Sequence, residues 1–265
     1  MKRRRRWHPG LLVDAVGVLV YAFLLAPLVV VVLASFNAAD FLSFPPKGFS
    51  LRWYVALVQS DLWMESFRTS LLVTAIVTPL ALTIGTLAAY ALGRAQFRGK
   101  GLVATLVMAP LVMPHVVLGI ALLNYLSALG LINSVTGLVI GHLVVTLPYT
   151  VRLVSISVAN LDPVLERAAQ SLGASPVETF VRVTLPLLRP GLVAGAIFAA
   201  IISFGELAVT LLIAGARTTT LPLRIFNYTE YNFDPTINAV STIFVVLALL
   251  LIIALDRVVG LARLG

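Results

Sequence analysis

An all-α membrane protein with six spans is predicted by three features of this sequence. Hydrophobic residues fill 60% of its 265 positions and charged residues only 11%. Apolar runs of roughly 20 residues recur from end to end, the length a helix needs to cross a bilayer. Lysine and arginine gather in alternate connections, as expected of a chain that threads back and forth across a membrane. A soluble domain of this size ordinarily carries about a quarter of its residues charged, so this chain could not coat one.

Taken in order, the spans are expected at about 11–36, 67–92, 101–129, 134–156, 191–213 and 237–258, with boundaries loose by several residues. Residues 11–265 read as one transmembrane domain behind a basic N-terminal stretch, residues 1–10. Lys2-Arg3-Arg4-Arg5-Arg6 stands directly before the first span. It reads as an anchor on an anionic inner leaflet, not as an arm for nucleic acid. The apolar stretch behind it is far longer than a signal-peptide core, so it reads as a retained helix. Between spans one and two, Trp53, Tyr54 and Trp63 suit an amphipathic helix at the headgroup level. Pro110 and Pro114 are expected to bend span three, and Pro148 span four, because each removes a backbone hydrogen bond. With the N-terminus inside, 14 Lys and Arg fall in cytoplasmic segments and 5 outside. Both termini and the connection between spans four and five are therefore expected in the cytoplasm. The chain has no cysteine, which excludes disulfides, iron–sulfur clusters and thiol catalysis.

That connection, residues 160–190, is unusually polar and full of caps. Asp162 is placed to cap a helix that opens on Pro163, where a missing N–H costs nothing. Gly173 is placed to end it in the left-handed conformation. Ser175 and Glu178 have the spacing of a capping box for a second helix, which Leu185-Pro186 is expected to terminate. The outcome is a stiff helix–glycine–helix elbow. Ala168 and Ala169 give its first helix a small, flat face that a partner's groove could approach. It suits either the transfer of a rigid-body push from a cytoplasmic partner or a plain amphipathic turn between spans.

Ala168-Ala169, three residues, Gly173, nine residues, then Val183-Thr184-Leu185-Pro186 resembles the cytoplasmic signature loop of ABC importer permeases. "APLVMPHVVLGIAL", "SFGELAVTLLIAG" and "TTTLPLRIFNYTEYNFDPTINAVSTI" are similar to the spermidine/putrescine-type branch of that family. The resemblance covers nearly the whole chain and departs at one signature position, where Arg167 fills the glutamate slot and Glu166 stands one place earlier. It implies an ATP-driven importer that moves a small solute by alternating access, with a polyamine such as spermidine or putrescine as the leading substrate. It further implies a bacterial inner-membrane location and a second homologous permease subunit. Two copies of a cytoplasmic ATP-binding subunit and an extracytoplasmic substrate-binding protein complete the assembly it implies. By the same resemblance Glu166, Arg167, Ala168, Ala169, Gly173, Ser175, Leu185 and Pro186 form the contact with the ATPase. No phosphate-binding Gly-x-x-x-x-Gly-Lys-[Ser/Thr] loop occurs in the sequence, so ATP hydrolysis is assigned to a partner and this chain is not expected to be an enzyme.

Glu206 is the one acid deep within a predicted span, where a charge costs about 2.5–3.5 kcal/mol on insertion scales. Two roles are open to it: a waypoint for a cationic substrate, or a structural hydrogen-bond partner for Ser203, Thr210 or a neighbouring helix. His115 and His142 are the other ionisable groups in spans, and packing or a path are both open to them. His115 follows Pro114, where the polyamine branch often has an acid. Glu230 and Tyr231 belong to an outer stretch that could line a vestibule, meet the binding protein or simply be solvated. No spacing of His, Cys or carboxylates suits a metal, and no cofactor is expected. Other substrates for the same importer are an opine or amino compound, iron or an organic anion. An ion-coupled carrier would show more charges within the membrane.

Overall fold

A computed structural model describes residues 9–232 and 234–259. The basic run Lys2–Arg6 and Arg263 lie outside the described residues. Among those described, the secondary structure is helical, apart from one isolated bridge between Asn37 and Phe49. The helices are α1 (Pro9–Ala34), α2 (Arg52–Gln59), α3 (Asp61–Arg94), α4 (Lys100–Met108), α5 (His115–Ala128) and α6 (Val135–Asn160). Then come α7 (Pro163–Ser171), α8 (Pro176–Thr179), α9 (Leu185–Leu187), α10 (Arg189–Gly205), α11 (Ala208–Ile213), α12 (Leu221–Tyr231) and α13 (Thr236–Val259).

Three helices, Val13–Ala34, Asp61–Arg94 and Val135–Asn160, are each long and apolar enough to cross a membrane, or up to five segments if each bent pair counts as one span. The expected third span is broken. Lys100–Leu111 and His115–Ala128 meet at 106°. Pro114 supplies the reason, since the residue before a proline is pushed out of the helical region and the chain cannot continue straight. The expected fifth span is also broken: α10 stops at Gly205, Glu206 is extended, and helix resumes only at Ala208. α6 runs through Pro148 without interruption.

The chain forms two compact units, residues up to 60 with 228–247, and 61–227 with the segment from 248 onward. In the larger unit α3, α6 and α10 pack on one another. Two apolar clusters lie along them. One joins Val73 and Val77 of α3 to Leu118, Leu122 and Leu126 of α5, Leu138 and Val145 of α6, and Val209 and Ile213 of α11. The other gathers Ala89, Val151, Val154, Val158, Leu161 and Leu188. Between them the helices come close enough that a Cβ on Gly85 would stand 2.8 Å from Thr150 Cγ2. Small residues at such crossings matter in a bilayer, where lipid tails supply no hydrophobic drive and contact depends on shape.

In the smaller unit α1 is apolar and exposed along nearly its whole length, and burial begins at its C-terminal end with Ala34 and Ser35. There the buried Asn37 ties the following loop. Its Nδ2 donates to Phe41 O and Ser43 Oγ, and its Oδ1 accepts from the N–H groups of Ala39 and Lys47. Trp53 Nε1 donates to Asn37 O at 2.8 Å, and Tyr54 hydroxyl pairs with Ser35 at 2.6 Å. These aromatics of α2 point inward as staples, not out to headgroups. The exposed apolar groups of this region instead include Phe41, Phe44, Phe49, Leu51, Val55 and Val58.

Gly85→Val should destabilise the protein by about 1–3 kcal/mol through overpacking against Thr150. Gly17→Val, at a glycine with open space around it, should leave the thermal unfolding midpoint in detergent unchanged.

Candidate functional site

Two polar constructions stand within the larger unit, and both solve the same problem of keeping charge among apolar helices. The first is the elbow. Asp162 caps α7, its carboxylate accepting from Val164 N at 2.8 Å, with Pro163 in the first turn. Gly173 ends α7 at φ 95°. Its N–H reaches Gln170 O at 3.0 Å and the next N–H, of Ala174, reaches Ala169 O at 3.1 Å, which is a Schellman closure. Ser175 and Glu178 form the capping box in both directions. The second helix does not end at Leu185-Pro186. It widens into a π-helix over Phe180–Thr184 and continues through α9 to Leu187 before the chain turns by 72° into α10. The wider π turn relieves the clash a proline ring makes with the carbonyl four residues back, so the helix can pass Pro186.

Glu166 is the one buried residue of α7. Its Oε2 lies 3.2 Å from Arg94 Nε, and its Oε1 accepts from Thr184 Oγ1 at 2.7 Å. Arg94 also donates from Nη2 to Leu161 O, the C-cap carbonyl of α6, at 2.6 Å. The arrangement suits the helix dipoles: a cation at the C-terminal ends of α3 and α6, an anion in the first turn of α7. Glu166 is thus turned into this chain, and the outward face of α7 carries Val164, Leu165, Arg167 and Ala168 instead. An open hollow of about 390 Å³ beside it is lined by Ala169, Leu172, Gly173, Ala174, Glu178, Arg182 and Val183. Leu172 is 90% exposed and Val177 72%, so this polar segment carries apolar side chains on its open surface. Ser175 and Pro186 are exposed and Leu185 partly so.

The second construction forms where span five breaks. Glu206 is buried, and its Oε1 accepts from Val209 N at 2.9 Å in the first turn of α11. Its Oε2 lies 3.3 Å from His115 Nδ1, on the first residue of α5. A carboxylate that would be costly alone here has a backbone N–H, a histidine and two helix N-termini for company. Beside it His142 is held at both ring nitrogens, Nδ1 to Ser203 Oγ at 3.1 Å and Nε2 to Thr210 Oγ1 at 2.9 Å. Thr210 spends its single proton on Glu206 O at 2.9 Å, so it accepts from His142 Nε2–H. Nδ1 then accepts from Ser203, which in turn accepts from Thr74 Oγ1 at 3.4 Å. This bookkeeping assigns His142 as a neutral ring in a closed chain of donors.

The structure therefore brings His115 and Glu206 together, 91 positions apart, and adds His142 as their neighbour through Thr210. Glu230 and Tyr231 are exposed at the end of α12, and both belong to the smaller unit. Arg94 and Thr74 lie in no motif, and Thr184 stands within the signature loop without having been singled out. The available signal for Arg94 is that it is the first charge after Arg68 and closes a long apolar helix.

Long apolar helices interrupted by internally partnered charge, with a capped elbow exposed between two of them, define a polytopic membrane protein. Residues 81–262 match the model of the family described as binding-protein-dependent transport system inner membrane component. The spermidine/putrescine transport system permease protein PotC of Escherichia coli strain K12 is 31% identical over 235 residues, 89% of each chain. The putrescine transport system permease protein PotI of the same strain is 32% identical over 230 residues, 84% of this chain and 82% of the relative. A bacterial ABC transporter involved in the import of the acidic polysaccharide alginate superposes with a TM-score of 0.72 at 18% identity, covering 98% of both chains. The chain belongs to the binding-protein-dependent inner-membrane component family and is a permease of an ABC importer. The family is one of membrane subunits, not enzymes.

His142→Ala removes the ring nitrogen to which Ser203 Oγ donates and the ring N–H that Thr210 Oγ1 accepts, leaving each buried hydroxyl one hydrogen bond short. It should lower stability by about 1–3 kcal/mol, read from thermal unfolding in detergent, whereas Glu230→Ala at an exposed site should leave the midpoint in place.

Proposed function

We propose that this permease passes a small amine, with a polyamine of the spermidine/putrescine class first, into the cytoplasm by alternating access. The elbow at 162–190 is the surface on which a separate ATP-hydrolysing subunit pushes. The observation that carries this reading is the outward face of α7 and its hollow, a rigidly capped apolar surface that nothing in this chain covers among the described residues. The names of the related permeases PotC and PotI support the substrate class. The assembly holds two copies of the ATPase, a second homologous permease, which would cover the exposed side of α1, and an extracytoplasmic binding protein. Both termini and the elbow face the cytoplasm of a bacterial inner membrane, as the 14 to 5 split of Lys and Arg favours.

Within the elbow, Ala168, Ala169 and Gly173 allow close docking, Arg167 offers the outward charge, and Glu166 holds the helix from behind. At the break in span five, Glu206 and His115 line the path. A second reading rests on that pair: because His115 already stands against Glu206, the site suits an amino compound of low net charge as well as a polycation.

The purified complex should retain an ATPase subunit, and its loss from every preparation would remove this reading. Gly173→Pro and Ala169→Asp should insert normally yet lose putrescine uptake by about tenfold or more, the scale of changes on a coupling element. Uptake unchanged in both would overturn the role of the elbow. His115→Ala should alter the apparent affinity for putrescine in proteoliposomes while leaving ATPase association intact.

A further inference from the structure

The elbow is joined by peptide bonds to α6 and α10, and those two helices would ordinarily be taken as the ones it moves. A third helix is attached to it without being adjacent in the chain. Arg94, 67 positions before Leu161, reaches across to the end of α6 and to Glu166 of α7. Four residues earlier on the same face of α3, Tyr90 packs edge-on to Phe180 of the π segment, ring centroids 4.9 Å apart. α3 therefore holds the elbow at two points, one on each of its helices.

We propose that Arg94 is the positioning residue through which the elbow drives α3, so that the long helix moves with α7 when the elbow is pushed; this rests on the elbow receiving that push. The side chains of Arg94 and Glu166 are 21% and 11% exposed. Separating them strands a mostly buried carboxylate, which is far costlier than losing an exposed pair such as Arg182 with Glu178. α7 accordingly carries α3 along instead of sliding past it. What α3 reaches makes this consequential. Along its 34 residues it touches the polar chain at Thr74 and holds α12 by Ser70 Oγ, which accepts from Leu221 N, and Ser66 Oγ, which accepts from Arg224 Nε. From Arg94 to Ser66 is about 40 Å of helix at 1.5 Å per residue. The displacement of the elbow is delivered to that far end by one continuous helix, whereas α10 is turned by 72° from the elbow and stops at Gly205.

The absence of cysteine allows a direct test. Spin labels at Ala91→Cys and Gln170→Cys, both exposed, would report the separation of α3 and α7 in the purified transporter complex in nanodiscs, with and without ATP and vanadate. The expected result is one narrow distance that nucleotide leaves unchanged. With Arg94→Gln the distance should broaden and become nucleotide-dependent, and ATP hydrolysed per putrescine moved should rise about tenfold. Arg94→Glu combined with Glu166→Arg should bring both readouts back toward the parent. An Arg94→Gln distance as narrow and as unresponsive as the parent's would overturn the proposal, as would a charge exchange no better than Arg94→Glu alone. Ala169→Asp separates the two ideas. On the elbow reading it abolishes stimulation of the ATPase while the label distance stays narrow. Undiminished stimulation sinks that reading, while the Arg94 proposal is decided by the label distances of its own variants.

Discussion

A charge can persist among apolar helices only where the protein replaces the water it has lost, and the organisation of this permease follows from how it meets that requirement. Arg94 and Glu166 meet it by mutual pairing, by Thr184 and by the carbonyl at the end of α6. Every partner comes from a different helical element. The same contacts that make the charge tolerable therefore fix the relative positions of α3, α6, α7 and the π segment. Neutralisation and mechanical connection are one arrangement here.

Glu206 meets the requirement differently. Its partners are mostly local, a backbone N–H three residues on and the helix start it creates. The cost is an interrupted span: α10 stops so that the carboxylate can stand at the opening of α11. His115 arrives by a parallel route, exposed at the head of α5 by the bend before it. Two breaks in two expected spans thus converge on one carboxylate–imidazole contact. Irregular backbone at membrane depth is tolerated where it is buried in protein or lines a cavity, and the break at Glu206, between the buried Ser203 and Val209, fits that rule.

Much of the elbow was legible because its determinants are local. Asp162 before Pro163, Gly173 after an apolar-periodic turn, and Ser175 three residues before Glu178 are spacings that hydrogen bonds within a few residues dictate. Apolar run lengths likewise marked α1, α3 and α6. What escaped is what depends on helices meeting. Glu166 was expected to face a partner and faces Arg94, because nothing in the segment says which side of α7 rests on the bundle. Trp53 and Tyr54 suited a headgroup layer and are instead spent on Asn37 and Ser35. The continuation of the second elbow helix past Pro186 needed a π turn, which has no sequence signature of its own. His115 and Glu206 were separately visible as rare charges, but their pairing is a fact about α5 and α11 side by side.

The bare flank of α1 has an evolutionary corollary. From Val13 to about Val30 its side chains are almost all exposed, so this chain imposes a length and a polarity there but no shape. Exchange of one aliphatic residue for another would go unnoticed by the rest of the fold. Whatever selectivity that stretch possesses is inscribed on the surface of a different molecule, and its sequence is free to drift wherever that molecule does not read it.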